Sequence, residues 1–402
     1  MILNKFILFS KKELKVFCTY RLLFGIFYSI MIPIIPLYLD SLGLSTIAIG
    51  SVLSFYGISK TLTQIPFGIV SDKLGDKLTL YSCLLLMSIV PFSYTVFENG
   101  QFASYIYIIQ GAILGMAAPA TFSILSRSLD ESRRGECTGL ASCVFTLGGG
   151  IGSAIGGYLV TGFNNYNLAF YISSIGILFT GLYVIFRVKS IHSMNDRNKN
   201  KSDKISFLDV FYEIKNNKLG YKIFILSSIA FLGDYIYGCV VALIHFYTQS
   251  VLNSTIAFSS AIITVYLVVF GVGAPIAGIV ADKIGNKKQI FISFLVMNMT
   301  LLILGFTRSI VFFTVFIILY FLGATFLNAA LQSSLSEFSS SPRIKGIVFG
   351  FVGGCESLGY ALGPIFSAYI YNLNNNWLFF SLLGVSLFIF LTFMFLHKKI
   401  DL

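Results

Sequence analysis

Four charged side chains interrupt long apolar stretches of the sequence: Arg21, Lys60, Asp234 and Glu356. A charge at the centre of a membrane helix costs about 2.5–3.5 kcal/mol on insertion scales, so such residues face a cavity or one another. Intramembrane carboxyl groups commonly take up and release protons in transporters. We therefore expect Asp234 and Glu356 to be proton-coupling groups. The alternative that the sequence leaves open is a purely structural ion pair.

Other polar and aromatic residues recur at helical spacing around these charges. Residues three or four positions apart share one face of a helix, so each charge belongs to a polar stripe. Tyrosine rings on such stripes offer stacking and cation–π surface to a ligand. Arg21 has the alternative of reaching the nearby membrane surface with its long side chain. We expect a central substrate cavity lined by Arg21, Tyr28, Tyr56, Lys60, Gln64, Tyr237, Asn328, Gln332 and Tyr360.

The elements that position these residues are predicted to be membrane-spanning helices. The chain is 56% hydrophobic and 11% charged, against about 25% charged in a typical soluble domain. A helix needs about 20 apolar residues to cross a bilayer. Twelve stretches meet this length, so we predict an all-α polytopic membrane protein. The predicted spans are 14–39, 46–70, 77–97, 102–125, 135–161, 165–187, 221–248, 255–280, 287–306, 309–334, 344–370 and 375–397.

The positive charges of the chain follow the membrane topology. All but three of the 28 Lys and Arg residues fall in the N-terminus, the even-to-odd loops or the C-terminus. Because basic loops stay on the cytoplasmic side, both termini are predicted to be cytoplasmic in a multi-pass protein of the cell membrane. The net charge of +11 is thereby explained, and we expect no nucleic-acid partner.

One ten-residue segment occurs twice. "GIVSDKLGDK" at 68–77 and "GIVADKIGNK" at 278–287 lie 210 residues apart, and two further glycine-containing matches lie 211 residues apart. A repeat of this length predicts two six-helix, pseudo-symmetric bundles related as parallel repeats. We place the N-terminal bundle at 1–188, a polar cytoplasmic linker at 189–220 and the C-terminal bundle at 221–402.

The repeated segment falls in a short turn between the second and third helix of each half. A tight turn with positive charges is the simpler interpretation. An acid at a helix C-terminus is disfavoured by the macrodipole, however, so Asp72 and its counterpart are expected to have a partner. Duplication of the turn favours a conformational latch between the halves. The predicted latch residues are Gly68, Asp72, Lys73, Gly75, Gly278, Asp282, Lys283 and Gly285.

These turns resemble the loop motif of the major facilitator superfamily, Gly-x-x-x-Asp-Arg/Lys-x-Gly-Arg/Lys-Arg/Lys, and the resemblance covers essentially the whole chain. The ninth position departs from the motif in both copies, as Asp76 and Asn286. The resemblance implies the major facilitator fold and transport by alternating access.

A second motif, "GGGIGSAIGG" at 148–157, resembles the antiporter motif Gly-x-x-x-Gly-Pro-x-x-Gly-Gly. The resemblance implies the drug/proton antiporter branch, whose members export multiple drugs. Ser153 replaces the proline of the motif, and Tyr107 stands where that branch often carries an arginine. Ordinary close packing of small residues is the alternative interpretation. The matching positions and their half-repeat are Gly148, Gly152, Gly156, Gly157, Gly363 and Pro364.

We therefore expect a secondary active transporter that exports small amphiphilic compounds, drug-like or zwitterionic, in exchange for protons. An importer or facilitator of a nutrient or anionic solute, bound by Arg21 and Lys60, is the alternative. A membrane sensor or scaffold is a third class, but the sequence contains no long soluble segment to support it. The expected partners are a small-molecule substrate, protons and the lipid bilayer, and we expect a monomer. We expect no enzymatic activity, catalytic residue, cofactor or metal site.

Lys60 and Glu356 are expected to form a salt bridge in one state of the transport cycle. Lys60 lies ten residues, about 15 Å, from the predicted cytoplasmic end of its helix, and Glu356 lies twelve residues, about 18 Å, from that end of its own. In the family that the sequence resembles, these two helices face each other across the halves.

Overall fold

The computed structural model describes residues 12–127, 134–163, 165–189, 219–336 and 342–396. Within these ranges every regular element is an α-helix. The helices, in chain order, are α1 (Lys12–Ser29), α2 (Ile35–Ser41), α3 (Thr46–Leu74), α4 (Asp76–Val96), α5 (Gly100–Arg127), α6 (Arg134–Phe163), α7 (Tyr166–Arg187), α8 (Gly220–Leu252), α9 (Ile256–Ile284), α10 (Asn286–Phe306), α11 (Ile310–Ser336), α12 (Pro342–Leu373) and α13 (Trp377–Leu396).

The first predicted span is broken into two helices. The sequence favours one helix over 14–39, whereas α1 ends at Ser29 and α2 begins at Ile35. Prolines in "MIPIIP" account for the break, because a proline inside a helix removes a backbone hydrogen bond and clashes with the preceding turn. Pro36 instead occupies the first turn of α2, where its missing N–H costs nothing.

With α1 and α2 taken as one span, the described helices match the twelve predicted spans. Nine of them are long and apolar enough to cross a membrane by length and composition alone. Helices α1, α3 and α12 do not meet this criterion of length and composition. Each of them carries one of the intramembrane charges, Arg21, Lys60 or Glu356. The polytopic, all-helical architecture predicted from the sequence is confirmed.

Two groups of helices pack side by side. In the first group α1 packs on α6, α3 on α5 and α4 on α7; in the second α8 packs on α12, α10 on α11 and α9 on α11. The groups meet where α6 contacts α9 and α3 contacts α12. Residues 190–218, most of the predicted linker, lie outside the described residues, so the domain limits at 188 and 221 stay predictions.

Glycines of the 148–157 motif bring α6 against the backbone of α1. A Cβ on Gly148 would lie 2.6 Å from the carbonyl oxygen of Leu22, and Cβ atoms on Gly152 and Gly156 would meet the carbonyls of Ile26 and Ile30. Small residues allow such close approach of membrane helices, where packing rather than hydrophobic burial drives association. This glycine stripe therefore fixes the distance between α6 and α1.

The corresponding contact in the second group has the same geometry. A Cβ on Gly359 would meet the carbonyl oxygen of Phe231, and one on Gly363 would meet that of Tyr235. Gly359 and Gly363 stand 211 residues after Gly148 and Gly152. The repeat detected in the sequence thus corresponds to one helix-packing arrangement used twice.

The two repeated turns also share a backbone conformation. Gly75 has φ +97° and Gly285 has φ +87°, which L-residues with a side chain rarely adopt. Each glycine ends one helix and caps the next, as its carbonyl accepts from Thr79 or Gln289. We call the end of the bundle that carries these turns the turn end, and the other the distal end.

The glycine stripe generates a stability prediction. Gly152→Ala should lower the free energy of unfolding by ~1–3 kcal/mol, because the new methyl group forces α6 away from α1. The thermal unfolding midpoint of the detergent-solubilised protein measures the effect. Gly384→Ala is the matched control, since a Cβ there meets nothing within 4 Å. Equal midpoints for the two variants would contradict the role assigned to the stripe.

Candidate functional site

A cavity of about 70 Å³ lies among the helices of the second group. Asp234 of α8 and Glu356 of α12 both line it, together with Asn328 of α11 and Tyr237 of α8. The volume is well below the roughly 300–1,000 Å³ of a typical ligand pocket. The structure therefore brings four of the predicted site residues to one cavity, which in this conformation has room for little more than water molecules.

Tyrosines connect this cavity with the first group of helices. The hydroxyl groups of Tyr28 and Tyr56 are 2.6 Å apart, and the ring of Tyr56 stacks on that of Tyr107 at 4.6 Å between centroids. Tyr360 lies between the groups, with its ring centroid 5.9 Å from those of both Tyr56 and Tyr237. Predicted cavity residues of α1, α3, α8 and α12 thus form one continuous aromatic cluster.

Lys60 and Glu356 each lie one helical turn beyond this cluster, toward the turn end. Lys60 follows Tyr56 by four residues on α3, and Glu356 precedes Tyr360 by four on α12. Lys60 is close enough to interact electrostatically with both Asp234 and Glu356. In the described part of the chain it forms no ion pair with either acid. The expected Lys60–Glu356 salt bridge, assigned to one state of the cycle, stays a prediction.

Arg21 of α1 contacts an aromatic ring of α6. Its guanidinium carbon lies 4.1 Å from the centroid of the Phe145 ring, so α1 and α6 are joined by a cation–π contact. The side chain is half-buried. Arg21 is not among the residues that line the cavity around Asp234.

Two predicted cavity residues lie nearer the turn end. Gln332 follows Asn328 by one turn on α11 and is exposed, and Gln64 follows Lys60 by one turn on α3 and is half-buried. Neither lines the cavity. They continue the same polar stripes outward from it.

Tyr266, Tyr320 and Tyr107 were not among the predicted site residues. Tyr266 and Tyr320 line the cavity, and Tyr266 stacks on Tyr237 at 5.3 Å between centroids. The repeat contains the signal for Tyr266, because it stands 210 residues after Tyr56. Tyr107 was noted only as a departure from the antiporter branch, yet it stacks on Tyr56.

At the first turn the best-defined contacts belong to Asp76, the residue that departs from the family motif. Its carboxylate accepts hydrogen bonds from Ser71 at 2.8 Å and from Ser123 at 2.7 Å, and the residue is 5% exposed. It begins α4, where the helix dipole favours an anion. Asp76, at the start of α4, therefore links the last turn of α3 to the last turns of α5.

The predicted latch residues themselves have fewer defined contacts. Lys73, Asp282 and Lys283 are exposed, and the side chain of Asp72 lies outside the described part of the structure. A Cβ on Gly278 would meet nothing within 4 Å, and one on Gly68 would meet only Pro119. The latch between the halves stays a prediction.

Close contacts between the two groups of helices are concentrated toward the distal end. Gly157 of α6 packs on Ser260 of α9, and Gly50 of α3 packs on Pro364 and Ala368 of α12. Toward the turn end, by contrast, Cβ atoms on Gly353 and Gly354 of α12 would meet nothing within 4 Å. The groups are thus in tight contact at the distal end, and at mid-depth the thiol of Cys143 on α6 still donates to the carbonyl oxygen of Gly271 on α9 at 2.8 Å.

Comparison with known proteins identifies the family. The Major Facilitator Superfamily matches at residues 17–261 and 223–400. The multidrug resistance protein MdtG of Klebsiella pneumoniae is 23% identical over 357 residues, which cover 86% of this chain and 83% of MdtG. The quinolone resistance protein NorA of Staphylococcus aureus is 28% identical over 167 residues, covering 41% of this chain and 42% of NorA.

A solved structure agrees with this assignment at the level of the fold. The nucleoside transporter NupG superimposes with a TM-score of 0.74 at 17% identity, over 96% of this chain and 99% of NupG. An identity this low supports the fold alone. The family match over most of the chain shows that this protein belongs to the Major Facilitator Superfamily and is a secondary transporter rather than an enzyme.

Proposed function

We propose that the protein exports small amphiphilic compounds, including drug-like cations and zwitterions, in exchange for protons. The observation that carries the proposal is the cavity lined by both Asp234 and Glu356. Two carboxyl groups at one site can hold either protons or a cationic substrate. Competition between these two occupants couples substrate movement to the proton gradient.

The surroundings of the two acids suit a substrate with an aromatic or apolar part. Tyr237, Tyr266, Tyr320 and Phe270 line the same cavity, so a cation there can interact with ring faces as well as carboxylates. MdtG and NorA carry multidrug and quinolone resistance in their names, which supports export by this chain.

Alternating access requires the cavity to open and close at its two ends. The cavity of about 70 Å³ is too small for a drug-sized ligand, so substrate must bind when the helices are further apart. We assign the turn end to the cytoplasm of the cell membrane, since the basic loops lie there. The distal contacts then seal the outer side of the transporter.

Transport of ethidium into everted membrane vesicles tests the proposal. With an acidified lumen, vesicles that contain the wild type should accumulate ethidium, and a protonophore should abolish the accumulation. Asp234→Asn and Glu356→Gln should each lower the initial rate by about tenfold, because each loses a charged interaction worth ~1.5 kcal/mol or more.

Glu13→Gln is the matched control for these substitutions. Glu13 is also an acid, but it is exposed and its nearest described ionic partner is Lys189 at 3.6 Å. Its variant should transport at the wild-type rate. Accumulation that is insensitive to the protonophore, or equal in all four proteins, would contradict proton-coupled export through this cavity.

The alternative of import or facilitated entry rests on the basic residues Arg21 and Lys60. It predicts protonophore-insensitive, or inwardly directed, movement of an anionic solute in right-side-out vesicles. The cation–π contact of Arg21 with Phe145 occupies one of these two groups, which favours the export proposal.

We further propose that Lys60 and Glu356 form a releasable ion pair when the turn end closes. They lie one turn from the ring contact between Tyr56 of α3 and Tyr360 of α12, on the side of the turn end. Desolvation of a buried pair roughly offsets its attraction, so such a pair can form and break during transport. Protonation of Glu356 would release it.

A double-mutant comparison tests this pair. Lys60→Ala should reduce ethidium transport strongly, because it leaves Glu356 without a counter-charge, and Lys60→Glu/Glu356→Lys should recover part of the activity. Lys12→Ala, which changes an exposed lysine with no assigned role in the site, is the control. A charge swap no better than Lys60→Glu alone, at equal expression, would exclude the pairing.

We also propose that the hydrogen bonds of Asp76 with Ser71 and Ser123 make the first repeated turn rigid. Asp76→Ala should lower the free energy of unfolding by ~3 kcal/mol, since two serine hydroxyls lose a charged acceptor. Asp76→Asn should be milder, as the second turn already carries Asn286 at this position. Thermal unfolding in detergent measures both. Glu98→Ala, at an exposed acid of the distal end, is the control, and a shift as large in this variant would contradict the proposal.

A further inference from the structure

One backbone N–H of α12 is bound by a side chain of the other group of helices. The N–H of Ile365 donates to the hydroxyl oxygen of Ser54 on α3 at 3.1 Å, across 311 residues of sequence. Ser54 is 4% exposed. Inside a helix a backbone N–H normally donates to the carbonyl four residues earlier, so a partner on another helix needs an explanation.

Pro364 supplies that explanation. Proline has no N–H, and its ring clashes with the carbonyl four residues earlier, here that of Tyr360, which opens the helix locally. The next N–H, on Ile365, can then reach a partner outside α12. Neighbouring helices and serine side chains commonly satisfy backbone groups that a proline frees in a membrane helix.

The surrounding packing places Ser54 where it can serve as that partner. A Cβ on Gly50, one turn from Ser54, would lie 2.6 Å from the carbonyl oxygen of Pro364, so α3 approaches α12 closely. On the opposite side of the proline, a Cβ on Gly238 of α8 would lie 3.0 Å from the proline ring. Pro364 is thus held between two glycines of different helices.

The two partners of this hydrogen bond lie at the same depth from the distal end. Ser54 lies eight residues after the start of α3 at Thr46, and Ile365 lies eight residues before the end of α12 at Leu373, which is about 12 Å in each case. It therefore falls within the distal region where the two groups are joined, and on the distal side of the Tyr56–Tyr360 contact.

We propose that the Ser54–Ile365 hydrogen bond is a releasable lock that holds the distal end closed. When α3 and α12 separate at that end, Ser54 loses the N–H and the proline-opened turn must find another partner. The lock thus favours the conformation described here over the one open at the distal end. It depends on alternating access, which the family implies, and not on whether the chain exports or imports.

Distances between spin labels at the distal end measure the effect. Labels at Glu98→Cys and Asn372→Cys, both exposed positions at that end, are introduced after the native cysteines are changed to serine. Double electron–electron resonance then reports the short and long separations of the two groups. Ser54→Ala should raise the long-to-short population ratio about fivefold, as expected for loss of one hydrogen bond of ~1 kcal/mol.

Ser51→Ala is the matched control. Ser51 lies on the same helix, but its hydroxyl donates to Ile47 of its own helix at 2.8 Å, so its loss should leave the ratio unchanged. Ser54→Thr keeps the hydroxyl oxygen and should stay near the wild-type ratio. Equal distributions for Ser54→Ala and Ser51→Ala would overturn the lock.

Substitution of the proline tests the cause of the interaction. In Pro364→Ala the N–H of Ile365 can return to the carbonyl of Ala361, so this variant should shift the ratio in the same direction as Ser54→Ala. The double variant Ser54→Ala/Pro364→Ala should shift it no further than Pro364→Ala alone. Fully additive shifts, as expected for independent sites, would contradict a lock made by these two residues together.

Discussion

The cost of placing charged side chains inside an apolar bilayer sets the main constraint on this protein. Asp234 and Glu356 need a space that admits water or a ligand, and the structure supplies a cavity between α8 and α12 that α9, α10 and α11 also line. Such a space requires helices that do not pack tightly along their whole length. Between α3 and α12 the tightest glycine contact, that of Gly50 with Pro364 and Ala368, lies toward the distal end and away from the charges. The same helices therefore provide both the close packing at the distal end and the cavity around the two acids.

The sequence predicts much of this arrangement because membrane helices have a strong periodic signal. Span number, the repeat of 210 residues and the placement of Asp234, Glu356, Tyr237 and Asn328 follow from composition and spacing. The break between α1 and α2 could have been predicted from its prolines, whose effect is local. Gln332 lies one turn from Asn328 on α11 but does not line the cavity, since a stripe fixes the face of a helix and not its depth against neighbours.

Contacts between distant segments were harder to predict. The bond between Ser54 and the N–H of Ile365 depends on a helix distortion in one half meeting a serine in the other, and neither residue stands out in the sequence. Asp76 stood out only as a departure from a motif. Its burial and its two serine partners show that the departure creates a different way of holding the turn, with an acid at a helix N-terminus instead of a base.

The repeat also explains how two halves with the same packing can favour one conformation over the other. Both halves use glycines to bring a helix into backbone contact with its neighbour, at Gly148 and Gly152 in one and at Gly359 and Gly363 in the other. The residue that follows the second glycine differs between the halves. Ser153 donates to the carbonyl of Ser29 within its own half. Pro364 instead frees the N–H of Ile365, which donates to Ser54 of the opposite half. In the alternating-access cycle proposed above, a frame of two equivalent halves lets both conformations use equivalent helix packing, which keeps them close in energy. Weak, unequal contacts of about a kilocalorie each are then sufficient to decide which of the two is populated.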